Sequence, residues 1–423
     1  MTITALAGRF PSIAVGLAAA AIHAAFWLAL PEPMQRNQST DYFEVNEPVA
    51  RRIAAGLGVT TPTGAPAVAK PPGQSLLLAG CFWFSNVTGL SESFVLRTYV
   101  VLTMGLSGAL LYRLFSVLLF AGTGALWAVA IWTLHPMTLW IAKQPNTEVP
   151  FFALFFGALL AASYRSVAAG LLTGVLVAAA MLVRPIAILI PAVLLAWLWL
   201  GARLPLGRVA AFGLALAAGL GLVLAPWEIW VWQKLGRWVL LGEHGTSSLM
   251  DGLTFGVKGG DMGATLVRVE LLPLMQELFD EQIAGHMETT GQVFRYLAKR
   301  FTEEPLLIIE LFAVKTARSW FGTNGKWMEL AIAGVQLPFL LFAIRGLRRL
   351  WRAGGAFRSY ALLALLLTAY FWAMTVSVLS IVRYLLPPMA LLCAAVAAGL
   401  GLAGPGKEPA ISGPPSSDTA PAP

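Results

Sequence analysis

The sequence predicts an all-α polytopic membrane protein, and three observations carry that reading. Hydrophobic residues fill 58% of the 423 positions and charged ones 12%, with a mean hydropathy of +0.73, too apolar for a water-soluble chain of this length. The apolar residues fall mostly into runs of about twenty, the length of helix that crosses a hydrocarbon core of about 30 Å. Most Lys and Arg of the short connectors fall on alternate ends of these runs, as the bias of basic residues toward the cytoplasmic side requires. Topology thus accounts for much of the net charge of +8, and nucleic acid is not an expected partner.

In order along the chain, Phe10 to Leu30 reads as a first span with a cytoplasmic N-terminus; its apolar core is too long for a signal peptide. A polar external loop over 31–93 follows. Within it Asn46, Glu47 and Pro48 predict a helix start and Gly56 its end, with Val49 and Ile53 on one face. Arg51 and Arg52 lie away from that face, so the helix is expected to rest on the membrane. Gln74 to Phe84 is too short to cross, and its Phe82, Trp83 and Phe84 suit the headgroup layer. Spans are then expected near 94–112, 117–137, 147–164, 167–184, 186–202 and 209–229. This direction of travel puts Arg113, Arg165, Arg203 and Arg208 inside.

The polar stretch from Trp230 to Lys326 is expected outside. Its segment Pro305 to Trp320 reads as a surface-lying helix, with Leu306, Ile309 and Val314 alternating with Glu310, Lys315 and Arg318. A span near 328–344 returns inward to Arg345, Arg348, Arg349, Arg352 and Arg358, the strongest topological marker in the chain. Two more spans, near 360–381 and 386–403, bring the count to about ten. The organisation is a membrane module over 1–229, an external region over 230–326, closing spans over 327–404 and a disordered cytoplasmic tail over 405–423. Cys81 and Cys393, far apart in apolar surroundings, read as free buried thiols.

This topology gathers Asp41, Glu44, Glu47, Lys70, Glu148, Arg184, Glu228, His244 and Arg383 at the outer face. Ionisable groups at membrane level are costly and mark a cavity or substrate path. Carboxylates supply a general base or metal ligands, and Lys and Arg bind phosphate, Arg as a planar fork. Together they point to a phosphorylated amphiphile. Each residue also has a plainer role: Asp41, Glu44 and Glu47 as solvated or capping groups, Glu148 as a cap, and Lys70, Arg184 and Arg383 as anchors reaching for lipid headgroups. No phosphate loop, dinucleotide fingerprint or Cys/His cluster occurs, so a nucleotide-sugar donor and a zinc site are not expected. A divalent cation recruited by carboxylates and phosphate stays open, and no other cofactor is evident.

The chain resembles the GT-C superfamily of integral-membrane glycosyltransferases that use polyprenyl-phosphate sugars, including protein O-mannosyltransferases and lipid A aminoarabinose transferases. The resemblance is carried by Asp41 in the first external loop, Ala50 to Gly56, Lys70-Pro71-Pro72-Gly73, His135-Pro136 and Thr147-Glu148. Leu182-Val183-Arg184-Pro185, Pro226-Trp227, Gly245, Asp251-Gly252 and Arg383-Tyr384 with Pro387 continue it. It implies that Asp41 is the catalytic carboxylate, with Glu44 as the alternative, and that Lys70 contacts the lipid-linked phosphate. It further implies that Glu148 is a second catalytic acid and that Arg184 and Arg383 line the donor cavity, with Glu44 close to substrate. After Pro226-Trp227, where many relatives have an Arg-Asn pair, this chain has Glu228-Ile229-Trp230. The resemblance also implies a lipid, glycan or protein acceptor, and a bacterial cytoplasmic (inner) membrane with the site facing the periplasm. A transporter or flippase for a lipid-linked glycan is the alternative. It would be built from two matching halves with polar sites at mid-membrane, and neither is visible in the sequence.

Overall fold

The computed structural model describes residues 11–35, 39–119, 122–243, 245–257, 269–323 and 325–404. His244 and the expected tail over 405–423 therefore lie outside the described residues. The structure is 79% helical, with no strand among the described residues. In chain order the first helices are α1 (Pro11–Ala29), α2 (Glu47–Ala54), α3 (Gly73–Thr88), α4 (Glu92–Leu118), α5 (Thr123–Leu134) and α6 (Pro136–Ile141). They continue with α7 (Glu148–Ser163), α8 (Val167–Val183), α9 (Ile190–Leu200), α10 (Leu206–Leu235), α11 (Gly245–Leu253) and α12 (Leu272–Ile283). The last are α13 (Thr290–Glu303), α14 (Pro305–Arg318), α15 (Lys326–Ala353), α16 (Gly355–Ser377) and α17 (Leu386–Leu400).

Among the described residues six helices are long and apolar enough to cross a bilayer: α1, α4, α10, α15, α16 and the run Val382–Leu400 that contains α17. They make the chain an integral membrane protein. Thr123–Leu134, Glu148–Ser163, Val167–Val183 and Pro185–Leu200 are apolar but shorter. The expected span over 117–137 is interrupted at both ends. Gly122 takes a φ of 71° before α5, and His135 leaves the helical region at φ −62°, ψ 128° because Pro136 follows it. In the opposite direction, α10 runs through Pro226 to a left-handed Gly236. The module outside the membrane bundle thus begins six residues later than hydropathy suggests. α15 likewise extends through Pro338 and the first four arginines of the cluster to Ala353, and Arg358 falls on α16.

The interior of the bundle is α17, whose residues from Leu386 to Gly399 are all buried. Tyr360 on α16 donates to the Leu391 carbonyl at 2.7 Å, and Trp197 on α9 donates to the Ser359 carbonyl at 3.0 Å. α8 and α10 meet backbone to backbone: a Cβ on Gly174 would stand 2.1 Å from the Leu216 carbonyl oxygen, the small-residue contact of membrane helices. The module of α11 to α14 has its own core, in which Met250, Leu274, Met275, Val293 and Leu311 meet. α13 opens with a capping box from Thr289 and Gln292.

α14 reverses the expected facing. Ile308, Leu311, Lys315 and Arg318 are its buried residues, whereas Leu306 and Ile309 are exposed. The row at steps of three and four that begins with Ile308 and Leu311 passes through both cations.

A candidate active site at one end of the bundle

Five charged residues from five segments meet where several membrane helices begin or end. Asp41 opens a π-helical turn, Tyr42–Asn46, that runs directly into α2. Asn46 is not a cap: its backbone is helical, and its buried side chain donates to the Asp41 carbonyl at 3.0 Å. The turn is thereby tied back onto the residue that starts it. Lys70 precedes two buried prolines, and then α3 starts at Gly73, where a Cβ would stand 2.5 Å from the Leu182 carbonyl oxygen. Only glycine allows this approach. It fixes the Lys70 segment against the end of α8, two residues before Arg184.

Arg184 itself is extended, at φ −146°, ψ 115°, as its following proline requires. Glu148 is the first residue of α7, on a loop held by Gln74, which donates to the Pro145 carbonyl at 2.7 Å. Thr147 makes no backbone cap. Its hydroxyl donates instead to Glu148 Oε2 at 3.4 Å. Arg383 lies in the single turn Val382–Leu385 that leads into α17.

The contacts form one chain of ion pairs. Lys70 Nζ pairs with Asp41 Oδ1, and Arg184 Nη1 pairs with Glu148 Oε1. Arg383 bridges the two, with Nη2 3.8 Å from Asp41 Oδ2 and Nε 3.3 Å from Glu148 Oε1. Three cations face two carboxylates, an excess of one positive charge. Beside them opens a cavity of about 750 Å³, walled by segments 39–41, 136–146, 248–255, 318–323, 328–332 and 379–384, with Gly325. Asp41, Arg383 and Tyr384 line it. Asp41 is 42% exposed, and Glu148, at 1%, stands behind Arg383.

Burial pushes the Asp41 carboxyl up, but the Lys70 ammonium beside it, with its hydrogen bond, and the Arg383 guanidinium outweigh that effect. Despite the opposing charge of Glu148, the carboxyl is held below its ordinary value of 3.8, so it is ionised at neutral pH.

Glu44 is exposed on the π-helical turn, and no contact brings it to this cluster. Tyr42 and Asn46 take the inward positions of that turn. Glu47 pairs with Arg51 at 2.7 Å, and Glu228 accepts from the Leu241 N–H at 3.0 Å; both have structural work. His135 caps α6, its Nδ1 accepting from the Met137 N–H at 3.3 Å. No group of three or more His, Cys, Asp or Glu stands together as a metal site among the described residues. Cys81 and Cys393 are free.

Two contributors, Tyr384 and Arg318, are named in the sequence reading but given no role at the site there. The Tyr384 ring lies 4.8 Å from the Arg184 guanidinium and 5.2 Å from that of Arg383, a shared aromatic face that holds both in place. Its sign in the sequence is an aromatic next to a cation just ahead of Pro387. Arg318 lines the far wall of the cavity, and its sign is its place in the buried row of α14. No protein-family model matches the chain, and no curated protein matches it.

Proposed function

We propose that the chain is a membrane-embedded glycosyltransferase of the GT-C kind that moves a sugar from a polyprenyl phosphate to an acceptor hydroxyl on a lipid, glycan or protein. The observation that carries this reading is the excess positive charge around Asp41 at the wall of a largely apolar cavity. Cations recognise the phosphate, and Met137, Trp140, Ile141, Met328 and Ile332 in the same cavity offer an apolar wall to the lipid chain. The same excess disfavours a divalent cation at this point in the free protein. In this reading the four shorter apolar helices also cross, giving ten spans, and the site faces the periplasm of a bacterial inner membrane.

The reaction is a single displacement. The Asp41 carboxylate takes the proton of the acceptor hydroxyl as its oxygen forms a bond to the anomeric carbon. The bond from that carbon to the phosphate oxygen breaks, the configuration inverts, and the leaving phosphate gains charge facing Lys70 and Arg383. Glu148, buried behind, is a positioning residue that holds Arg184 and Arg383 rather than a second acid. In the resting protein Asp41 occupies the cations that the phosphate needs. Donor binding draws Lys70 and Arg383 to the phosphate and leaves Asp41 a stronger base.

Proteoliposomes supplied with a radiolabelled polyprenyl-phosphate sugar and candidate acceptors test this. Transfer by Asp41→Asn is expected to fall about 10²- to 10⁴-fold, the span of general-base contributions, with Glu44→Gln near wild type. Undiminished transfer by Asp41→Asn removes the base assignment. Label that crosses the bilayer without transfer makes the protein a transporter.

A further inference from the structure

At the other end of the bundle lies a second cavity, of about 400 Å³, whose charged lining is Arg165, Arg203 and Arg358. It is one length of α7 away from Glu148, about 24 Å at 1.5 Å per residue. No carboxylate lines it among the described residues, and no Asp or Glu occurs between Glu148 and Glu228 or between Glu329 and Glu408. The Nε of Arg165 is buried without a hydrogen-bond partner. Arg358 lies over the Trp351 ring at 4.6 Å, and Arg165 faces Trp197 at 5.9 Å. The first turn of α16 also opens here, at Gly355 and Ala356, with no side-chain cap from Gly354, so the backbone N–H groups of these two residues add donors at the positive end of a helix.

The backbone supplies an independent sign. Arg165 and Arg203 hold φ values of 57° and 54°, and they are two of the three non-glycine residues with positive φ among the described residues. Left-handed backbone is costly for a long side chain and persists where its surroundings or a function require it. Here both instances bring a guanidinium to one cavity.

We propose that this cavity binds a phosphate group, held by Arg165, Arg203 and Arg358 and by the first turn of α16. Uncompensated arginines in a pocket between membrane helices match the headgroup phosphate of an anionic lipid or a free phosphate ion. The proposal does not depend on the transfer reaction.

The full chain in a neutral detergent is unfolded by heat with tryptophan fluorescence as the readout. Four conditions are compared: phosphatidylglycerol, phosphatidylcholine, sodium phosphate, and sodium chloride of equal ionic strength. If the source is lipid, phosphatidylglycerol raises the Tm by about 2 °C or more over phosphatidylcholine near saturation. If the source is the free ion, phosphate does so over chloride. The double change Arg165→Asn with Arg358→Gln removes the response, asparagine being the side chain that best tolerates the left-handed backbone. Ala356→Asp, which keeps every arginine and places a carboxylate at the favourable helix end, also removes the response and raises the ligand-free Tm. Arg348→Gln, an exposed arginine outside the cavity, keeps it. The proposal falls if neither phosphate source shifts the wild type, or if the shift survives in Ala356→Asp.

Discussion

Arg318 on one wall of the large cavity and Arg383 on another are both guanidiniums paired with glutamate, but they are used differently. Arg318 donates from Nε and Nη2 to Glu329 Oε1 at 3.1 and 2.8 Å, and to the carbonyls of Ser380 and Thr323 at 2.8 and 2.7 Å. Its face covers the Phe255 ring at 4.5 Å. Next to it Lys315 donates to the Gly252 and Val378 carbonyls at 2.8 and 3.1 Å. Burial, with Arg318 adding repulsion, pushes the Lys315 ammonium down to about 7. Arg383, by contrast, has a buried Nε with no directed hydrogen bond, and its partner Asp41 is open to the cavity. One network is saturated and ties the α11–α14 module to the end of α16, whereas the other has capacity left for a ligand. Residue type does not separate a structural ion pair from a reactive one; unused bonding capacity beside open space does.

The largest effect that tests this contrast is on stability. Glu329→Leu leaves the Arg318 charge buried and unpaired, which costs about 3–5 kcal/mol. Unfolding by heat or denaturant should show a loss of that size and a poor folded yield. Replacing both partners, Arg318→Met with Glu329→Leu, should recover much of it, because the desolvated charge is removed with its partner. Lys70→Met, at the half-buried open pair, should cost under about 1 kcal/mol. If Lys70→Met destabilises as much as Glu329→Leu, the two networks are both structural and the contrast fails.

Lys70→Met should instead appear in the chemistry. Loss of one group that stabilises charge in a transition state lowers rates by about 10²–10³, so donor kcat/KM should fall by that factor while the fold stays intact. Lys70→Arg, which keeps the charge but not the shape, should recover part of it. A Lys70→Met protein that turns over the donor normally would make the Asp41 pair a surface tether.

Much of this arrangement was legible in the sequence. Lys70 and Arg184 each stand immediately before a proline, which disfavours the helical conformation for them, and Arg383 lies four residues ahead of Pro387; alternating helix direction sends these breaks to one face. What hydropathy could not convey was phase. Asp41 and Glu44 are three residues apart and look equivalent, but the π-helical winding of Tyr42–Asn46 puts Tyr42 and Asn46 inward and leaves Glu44 in solvent. Lys315 and Arg318 read as a wet face because charge dominates any apolarity scale. The partners that make their burial tolerable, Gly252, Val378, Ser380 and Glu329, are remote or on another helix. The break at His135 was similarly hidden inside an apolar run that a window average smooths over.

The smallest effect is the most diagnostic for Asp41. In the free protein its carboxyl is held below 3.8, so its protonation weakens the Lys70 pair only as pH falls through that depressed value. The stability that the pair contributes is fully present above the ordinary value. An acid limb of kcat/KM, which reports the free protein, therefore lies below pH 3.8 if Asp41 is the base. In the proposed reaction the phosphate of a bound donor competes for Lys70 and Arg383 and adds negative charge nearby, and burial then acts with less opposition. Each change raises the Asp41 pKa, so the acid limb of kcat must lie at higher pH than that of kcat/KM. Lys70→Met removes the main lowering influence in the free protein and should bring the two limbs together from below. Coincident limbs in the wild type would mean that the phosphate leaves the Asp41–Lys70 pair intact, and that Asp41 acts as a fixed counter-charge rather than as the base.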